Sequence, residues 1–270
     1  SIGTRKIDAY VLGLKSLGAT FTVNKETIRA ETHKLRGAEI QLNFPSVTGT
    51  EGTIIASTMA EGKTIITNAA KEPEVADLSN FLNSMGAKIK GVGTSTIKVT
   101  GVKKLHGTEY AIIPDRIAAG TFMTAAAITR GNLLIENVIP CHLRATIQKL
   151  RKTGVKVSEF ERAVKVECKS REIKSANITT AVYPGFPTDM QPIFMALMTI
   201  SNGIAQIKET LYDGRFSHAG DLAKMGAIIE IDKDVARVRG VEKLKGAKVK
   251  ARDIRSGAAL TTSGLAAEGV

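Results

Sequence analysis

The stretch L-R-A-T-I-Q-K-L-R-K-T-G-V, residues 143 to 155, decides the fold because it shows how one structural element of this chain begins and ends. Leu143, Ile147 and Leu150 are spaced so that they share one face of a helix, as in an amphipathic helix packed on a core. Gly154 follows the last of them, where a glycine is the expected stop of a helix. The stretch therefore predicts a helix that ends at a T-G-V triplet.

Similar triplets recur along the whole chain, and internal repetition of this kind decides the architecture. The triplets are spaced by 68, 68 and 72 residues: L-G-A at 17 to 19, M-G-A at 85 to 87, T-G-V at 153 to 155 and M-G-A at 225 to 227. A second marker runs in phase with them: E-G-K-T-I-I (61 to 66), R-G-N-L-L-I (130 to 135), N-G-I-A-Q-I (202 to 207) and E-G-V (268 to 270). The chain is thus predicted to contain four copies of one unit.

Each copy is predicted to contain the elements strand, helix, strand, helix, strand, strand (βαβαββ), which gives an α/β (α+β) fold class. Alternating apolar and polar residues indicate the strands. Such runs occur at 35 to 42, 97 to 99, 105 to 112, 235 to 238 and 244 to 249. The glycines of G-V-G-T-S-T, residues 91 to 96, precede a strand and not a helix, so they predict a hairpin turn and not a dinucleotide-binding loop.

The composition limits the classes of protein to be considered. The 270 residues are 43% hydrophobic, which suits one large or two ordinary globular domains. No apolar run reaches the roughly 20 residues that span a bilayer, and the first residues lack the apolar centre of a signal peptide. We expect a cytoplasmic protein without a membrane partner. Cys141 and Cys168 stand in unrelated contexts, so a structural disulfide is not expected, and four scattered histidines predict no metal site.

The net charge of +12 predicts an anionic partner. Lysines and arginines are spread along every segment, only 4% of residues are aromatic, and no RNA-recognition or zinc-finger pattern occurs. Small phosphorylated ligands fit this composition at least as well as nucleic acid does. The non-enzyme alternative is a basic repeat protein that binds RNA, which strongly salt-dependent affinity would reveal.

The run Y-P-G-F-P-T-D-M-Q, residues 183 to 191, places one acid in an otherwise uncharged, turn-forming segment. Helical spacing of apolar residues begins directly after it, at Met190. Asp189 therefore lies at the entrance of an apolar helix and is the candidate catalytic base. The alternative is that Thr188 or Asp189 caps this helix, as Thr and Asp commonly do.

Together with the repeat markers, several segments of the chain resemble the enolpyruvyl transferase family, over essentially all 270 residues. These segments are S-I-G-T-R-K-I-D (1 to 8), P-S-V-T-G-T-E (45 to 51), A-A-K-E-P-E-V-A-D (69 to 77), P-D-R-I-A-A-G-T-F (114 to 122), P-G-F-P-T-D-M-Q (184 to 191) and D-I-R-S-G-A-A-L (253 to 260). The resemblance implies six units in two inverse-barrel-like domains of three, joined by a hinge, with the site in the cleft between them. It places residues 1–114 in the lobe on the nucleotide-sugar side, with a mobile loop at 1–8, and 115–270 in the lobe that carries Asp189 and Arg255.

The implied reaction transfers the enolpyruvyl group of phosphoenolpyruvate to the 3-hydroxyl of UDP-N-acetylglucosamine with release of phosphate, the first committed step of peptidoglycan precursor synthesis. Its partners are these two small molecules, with no cofactor, no metal and no obligate protein partner. The sister reaction on shikimate 3-phosphate is the alternative. Such chemistry needs a base at the sugar hydroxyl, an acid at C3 of the enolpyruvyl group and fixed cations around a carboxylate and a phosphate.

The resemblance also implies roles for individual residues. Asp189 matches the base, Arg5 matches the arginine on the mobile loop over the phosphate, and Arg255 matches an arginine of the phosphoenolpyruvate pocket. Arginine suits both of the latter roles because its planar guanidinium binds carboxylate and phosphate with two hydrogen bonds and stays charged. The residues expected to hold the uridine nucleotide and the sugar are Arg5, Lys6, Ile7, Asp8, Ala9, Phe44, Pro45, Ser46, Val47, Thr188, Asp189 and Leu211.

The chain also departs from the family pattern. Lys6, Tyr10, Tyr183 and Gly214 replace residues that are common in the family, and we expect these differences to affect the nucleotide contacts more than the reaction. The general acid of the family, a cysteine or an aspartate, belongs immediately before Ser1. We therefore expect the chain to be an internal piece of a longer protein, with both domains incomplete, and the 270 residues alone to be inactive.

Overall fold

The structure of the protein is a computed structural model that describes residues 7 to 24, 27 to 168 and 172 to 269. The chain divides into two compact units, the first ending at Ile113 and the second beginning at Pro114. Both units combine helices with small, mostly antiparallel sheets. Among the helices of the described ranges, none combines the length and apolarity needed to cross a lipid bilayer.

The first unit contains a four-stranded sheet with helices packed on it. Its elements are α1 (Asp8–Ser16), β1 (Thr20–Val23), β2 (Ile28–Glu31), β3 (Glu39–Gln41), α2 (Val47–Ser57), β4 (Lys63–Thr67), α3 (Pro73–Ser84), β5 (Lys88–Lys90) and β6 (Thr96–Thr100). The sheet has the order β3-β4-β6-β5, with β3 parallel to β4 and the other pairs antiparallel. Alternate residues of β4 and β6 are buried, so Ile66, Ile97 and Val99 contribute to a core that also contains Ile54 of α2.

The second unit repeats this plan around a larger core. Its elements are α4 (Arg116–Ile128), β7 (Asn132–Glu136), α5 (Arg144–Lys152), β8 (Lys156–Glu159), β9 (Ala163–Glu167), β10 (Ile178–Thr179), α6 (Gln191–Met198), β11 (Ile204–Lys208), α7 (Ala219–Lys224), β12 (Ile228–Asp232), β13 (Val235–Arg239), β14 (Leu244–Lys245), α8 (Ile254–Gly264) and β15 (Ala267–Glu268). Short 3-10 helices precede α5 at Pro140–Leu143 and α6 at Thr188–Met190.

The predicted βαβαββ unit is observed twice in full. The run from β3 to β6 and the run from β10 to β13 have the same sequence of elements. Their sheets also have the same connectivity, because the order β10-β11-β13-β12 corresponds to β3-β4-β6-β5. The middle sheet, β7-β9-β8, has three strands. All of these sheets are open within the described residues, so the inverse-barrel shape expected for each lobe is not present here as a closed barrel.

The glycines of the four triplets end their helices as predicted. Gly18, Gly86, Gly154 and Gly226 have φ values of 100°, 98°, 86° and 92°. A side chain is disfavoured in this left-handed region, which is why glycine is common at the position that follows a helix. The local sequence therefore determines where four helices end.

The strand predictions are correct in part. The run 35 to 42 contains β3 at Glu39–Gln41, and the run 244 to 249 contains only the two residues of β14. The strand predicted at 105 to 112 is wrong, since this segment is an irregular connection. Side-chain contacts with α3 hold it in place: the Tyr110 hydroxyl donates to the Asp77 carboxylate at 2.8 Å, and its ring packs on Phe81 at 5.4 Å between centroids. The turn predicted at 91 to 96 does connect β5 and β6.

A half-buried acid on α2 makes the stability of the first unit depend on pH. Burial, together with the charges of Glu74 and Glu72, raises the pKa of Glu51 to about 7. A carboxyl group whose pKa is higher in the folded than in the unfolded state stabilises the fold at low pH, and this contribution is lost as the pH rises through the folded value.

We expect Glu51→Gln to remove this dependence. As the pH rises from 5 to 8, the free energy of unfolding of the variant should increase by about 1 to 2 kcal/mol relative to that of the parent. This figure is reduced to allow for solvent screening of a partly exposed group. Urea denaturation at the two pH values measures the difference. A free-energy difference that stays constant with pH would contradict the assignment.

Candidate functional site

A fully buried helix fixes the position of Asp189. Every residue of α6 is buried, so the helix is held on all sides by the core of the second unit. The 3-10 turn Thr188–Met190 leads directly into it, and Met190 is itself buried. Asp189, the preceding residue, retains 35% of its side-chain exposure. The core thus holds the backbone of Asp189 while its carboxylate reaches solvent.

Two arginines bind this carboxylate, one at each oxygen. Arg255 Nη2 donates to Asp189 Oδ2 at 2.7 Å, and Arg215 Nη2 donates to Oδ1 in a short contact. Arg215 is largely buried, with 12% of its side chain exposed, and its guanidinium lies 4.8 Å from the centre of the Tyr212 ring. The three charged groups, separated by up to 66 residues in the sequence, form one cluster.

The start of α8 determines where Arg255 lies. Asp253 caps this helix by accepting hydrogen bonds from the backbone N–H groups of Arg255 and Ser256 at 2.8 and 2.9 Å. The Ser256 hydroxyl accepts in return from the Asp253 N–H at 2.9 Å, which completes a capping box. The D-I-R-S segment is therefore a helix start that presents its arginine to Asp189.

The cluster keeps Asp189 ionised. Burial by itself would raise the pKa of Asp189, but the charges and hydrogen bonds of Arg215 and Arg255 outweigh burial and lower that pKa below its usual value. His218, which is 1% exposed, does not contribute a charge, because burial lowers its pKa to about 4. The positive charge beside Asp189 thus comes from the two guanidinium groups.

The pKa of Asp189 should depend on both guanidinium groups. We expect Arg215→Gln to raise the pKa of Asp189, since burial then acts against a single remaining arginine. The measurement is an NMR titration of the Asp189 carboxyl carbon, and Arg239→Gln, an exposed arginine of β13, is the matched control. An unchanged titration in Arg215→Gln would show that Arg215 does not control this carboxylate.

The capping alternative for this segment is wrong. Neither the 3-10 turn nor α6 receives a capping hydrogen bond from a side chain. The carboxylate of Asp189 faces the two arginines, and the hydroxyl of Thr188 lies 2.9 Å from Glu209 Oε2. Both side chains point away from the helix start, because partners distant in the sequence hold them.

Residues expected to bind the nucleotide occupy the adjoining starts of two helices in the first unit. Asp8 and Ala9 lie in the first turn of α1, after Ile7, and Ser46 caps α2 by accepting from the Gly49 N–H at 3.1 Å. The two helices approach closely at Gly49, where a Cβ atom would lie 2.6 Å from the Cβ of Ala9. This part of the chain thus brings Ile7 to Ala9 near Ser46 and its neighbours Phe44, Pro45 and Val47.

Two expected residues lie outside the part of the chain that the structure describes, namely Arg5 and Lys6. Leu211 belongs to the second unit, where its N–H donates to Glu209 Oε1 at 2.9 Å. Within the described ranges, no group of three or more His, Cys, Asp or Glu side chains is arranged to hold a metal ion. Cys141 is exposed and Cys168 is buried, and these two cysteines are not joined in a disulfide.

Sequence reasoning missed two residues of this site, Arg215 and Glu209. Arg215 is one of 38 lysines and arginines, and nothing in its neighbourhood marks it as a partner of Asp189. Glu209 follows β11 in an ordinary strand-end position, yet only 5% of it is exposed. A buried acid cannot be recognised from the sequence, because burial depends on segments that are distant along the chain.

Comparison with known proteins agrees with the fold. Residues 1–270 match the sequence family described as EPSP synthase (3-phosphoshikimate 1-carboxyvinyltransferase). The chain is 51% identical over 269 residues to UDP-N-acetylglucosamine 1-carboxyvinyltransferase 1 of Caldanaerobacter subterraneus subsp. tengcongensis, with 100% of this chain and 65% of the relative covered. It is 46% identical over 269 residues to the UDP-N-acetylglucosamine 1-carboxyvinyltransferase of Magnetococcus marinus, covering 64% of that protein. The chain therefore spans slightly less than two thirds of these relatives.

Solved structures support the fold assignment. The enolpyruvyl transferase NikO from Streptomyces tendae superposes with a TM-score of 0.84 at 21% identity, covering 97% of this chain and 65% of that one. The EPSP synthase from Acinetobacter baumannii gives a TM-score of 0.71 at 21% identity, covering 98% and 65%. The α/β fold class predicted from the repeats is thereby confirmed.

Proposed function

Since the chain belongs to the EPSP synthase family of enolpyruvyl (1-carboxyvinyl) transferases, we propose that its protein transfers the enolpyruvyl group of phosphoenolpyruvate to the 3-hydroxyl of UDP-N-acetylglucosamine and releases phosphate. The observation that carries the proposal is the carboxylate of Asp189 held between Arg215 and Arg255. Relatives at 46 to 51% identity that are named for this acceptor support the choice of substrate. The proposal includes a role in peptidoglycan precursor synthesis and a cytoplasmic location, where such metabolites occur.

Asp189 is the base in this proposal. The sugar hydroxyl must lose its proton as its oxygen adds to C2 of the enolpyruvyl group, while C3 gains a proton and a tetrahedral ketal forms. A carboxylate that is already ionised can accept the hydroxyl proton, and a positioned base of this kind typically accelerates a reaction about 100-fold to 10,000-fold. The lowered pKa of Asp189 keeps it in the accepting form before substrate arrives.

Arg215 and Arg255 are the cations that such a reaction requires near the carboxylate and phosphate of phosphoenolpyruvate. Arginine binds either anion with two parallel hydrogen bonds. When these guanidinium groups turn to an anionic substrate, they neutralise Asp189 less, and burial then raises the pKa of the carboxyl group. Substrate binding would in this way make Asp189 a stronger base at the moment when it is needed.

Most residues assigned to the nucleotide part of the acceptor belong to the first unit. We propose that Arg5 to Ala9 and Phe44 to Val47 bind the uridine nucleotide, together with Leu211, and that Thr188 positions the sugar. The adjoining starts of α1 and α2 support this assignment, because backbone N–H groups at helix starts favour phosphate and these segments lie side by side. Arg5 is also assigned to the phosphate of phosphoenolpyruvate. The proposal keeps residues 1–114 and 115–270 as the two lobes of this part of the protein.

The second candidate is the transfer to shikimate 3-phosphate, which the description of the matching family names. Both candidates use the same donor and release phosphate, and they differ in the acceptor. A phosphorylated cyclohexene acid and a nucleotide sugar share no recognition group apart from a hydroxyl and a phosphate. The choice of acceptor therefore separates the two.

The experiment measures phosphate release by the protein that carries this sequence, with phosphoenolpyruvate and one acceptor at a time. We expect release with UDP-N-acetylglucosamine and none with shikimate 3-phosphate. Faster release with the shikimate ester would replace the proposal by its alternative. Release with neither acceptor, in a protein that calorimetry shows not to bind UDP-N-acetylglucosamine, would overturn both.

A further inference from the structure

Glu209 is a buried carboxylate whose partners are all neutral. It lies directly after β11, and its oxygens accept four hydrogen bonds. Oε1 accepts from Thr180 Oγ1, Leu211 N and Tyr212 N at 2.8, 2.9 and 3.1 Å, and Oε2 accepts from Thr188 Oγ1 at 2.9 Å. None of the partners that the structure describes is a cation. Four neutral donors therefore compensate for the cost of burying this charge.

The directions of these hydrogen bonds follow from the number of hydrogens available. The hydroxyl of Thr180 accepts from the Thr210 N–H at 2.8 Å, so its own hydrogen goes to Glu209. The hydroxyl of Thr188 has one hydrogen, and an ionised carboxylate can only accept. Thr188 therefore gives its hydrogen to Glu209 and has only oxygen lone pairs left for any other partner.

Thr188 lies where the role of its hydroxyl as a hydrogen-bond acceptor would affect a bound ligand. It precedes Asp189 in the same 3-10 turn and is half-buried, so a ligand of Asp189 can reach it. The backbone groups that Glu209 holds belong to the segment that leads to Arg215. One buried carboxylate thus connects the segment that carries the base with the segment that carries its arginine partner.

We propose that Glu209 is a positioning residue that fixes Thr188 as a hydrogen-bond acceptor, so that the site selects an acceptor substrate with a hydrogen-bond donor, a hydroxyl or an amide N–H, at this place. The inference rests on the proposed function for the identity of the substrate as a nucleotide sugar. Glu209 acts through Thr188 and makes no contact with the reacting atoms.

Replacing Glu209 by glutamine should reverse the polarity of Thr188 and leave the fold intact. The two backbone N–H groups can only donate, so the amide oxygen must take the place of Oε1. The amide nitrogen then faces Thr188 and donates to its hydroxyl oxygen. The hydroxyl hydrogen becomes free to point at the ligand, where it meets another donor.

Calorimetric titration with UDP-N-acetylglucosamine tests this reversal in four proteins: the parent, Glu209→Gln, Thr188→Val and the double variant. We expect each single variant to bind about 10-fold more weakly, as for one hydrogen bond lost, and the double variant to bind no more weakly than Thr188→Val alone. Thr188→Ser keeps the hydroxyl and should bind as tightly as the parent. Glu230→Gln, at an exposed position of β12, is the matched control and should change nothing.

A purely structural role gives a different pattern. In that case Glu209→Gln would weaken binding equally with and without the Thr188 hydroxyl, and this result would overturn the inference. Unchanged affinity in Glu209→Gln would also overturn it. Amide hydrogen exchange at Leu211 and Tyr212 provides the fold control, with protection expected to persist in Glu209→Gln and to fall in Glu209→Ala.

If the parent does not bind the nucleotide sugar, the proposed function fails. The role of Glu209 in orienting the Thr188 hydroxyl can then be tested in the proteins without ligand. Hydroxyl-proton NMR then compares the parent with Glu209→Gln. A slowly exchanging Thr188 hydroxyl proton in the parent that exchanges rapidly in the variant supports the polarity assignment. The same exchange rate in both proteins would overturn it.

Discussion

Asp189→Asn is expected to lower the rate of phosphate release from phosphoenolpyruvate and UDP-N-acetylglucosamine by about 1,000-fold, the usual order for the loss of a positioned base. The amide has nearly the shape of the carboxylate and can still accept from one arginine, so the fold should remain. It cannot take the proton of the sugar hydroxyl. Steady-state assay of phosphate release measures the effect.

The matched control is Asp232→Asn, the same substitution at an exposed position of β12. Its rate should equal that of the parent. Binding of UDP-N-acetylglucosamine by Asp189→Asn should fall far less than turnover, because the substitution removes a proton acceptor and not the bulk of the contacts. A variant that retains most of the parent's turnover would exclude Asp189 as the base.

Gly240→Ala is expected to destabilise the second unit by at least about 3 kcal/mol, because the added methyl group meets backbone that cannot move aside. A Cβ atom at this position would lie 1.5 Å from the carbonyl oxygen of Ser201. Gly240 directly follows β13, and its N–H donates to the Gly203 carbonyl at 3.0 Å, while the N–H of Val241 donates to Thr199 at 2.7 Å. These contacts hold the end of α6, the helix that follows the 3-10 turn with Asp189.

Urea denaturation measures this loss, and Gly220→Ala is the matched control. Gly220 lies within α7 with nothing within 4 Å of an added Cβ atom. Alanine there should stabilise the protein by about 0.5 to 1 kcal/mol, since alanine is the better helix former. Equal stability of Gly240→Ala and the parent would show that the strand end can separate from α6 without cost.

The first unit contains the equivalent of this contact. A Cβ atom at Gly101 would lie 1.6 Å from the Ala60 carbonyl oxygen, and the Gly101 N–H donates to the Gly62 carbonyl at 3.0 Å, as Gly240 does to Gly203. The repeat therefore extends from the order of elements to individual backbone contacts. Neither glycine stands out in the sequence, because 25 glycines occur along the chain.

The sequence alone determined the local features of this protein. Two of these features depend on residues close together in the chain, namely the helix ends at Gly18, Gly86, Gly154 and Gly226 and the strand alternation of β4 and β6. The repetition is visible as similar triplets at nearly constant spacing. Such features follow from backbone conformation and side-chain periodicity, which a sequence displays directly. Asp189 could be singled out for the same reason, as one acid in an uncharged turn before an apolar helix.

Only the tertiary structure decided which side chains meet Asp189 and Thr188. Arg255 lies 66 residues beyond Asp189, Arg215 lies 26 residues beyond it, and Glu209 lies 21 residues beyond Thr188. Tertiary contacts likewise kept residues 105 to 112 from forming a strand, through the packing of Tyr110 on α3. The physical reason is that burial and ion pairing depend on how distant segments pack together, and the residue types within any one segment do not contain that information.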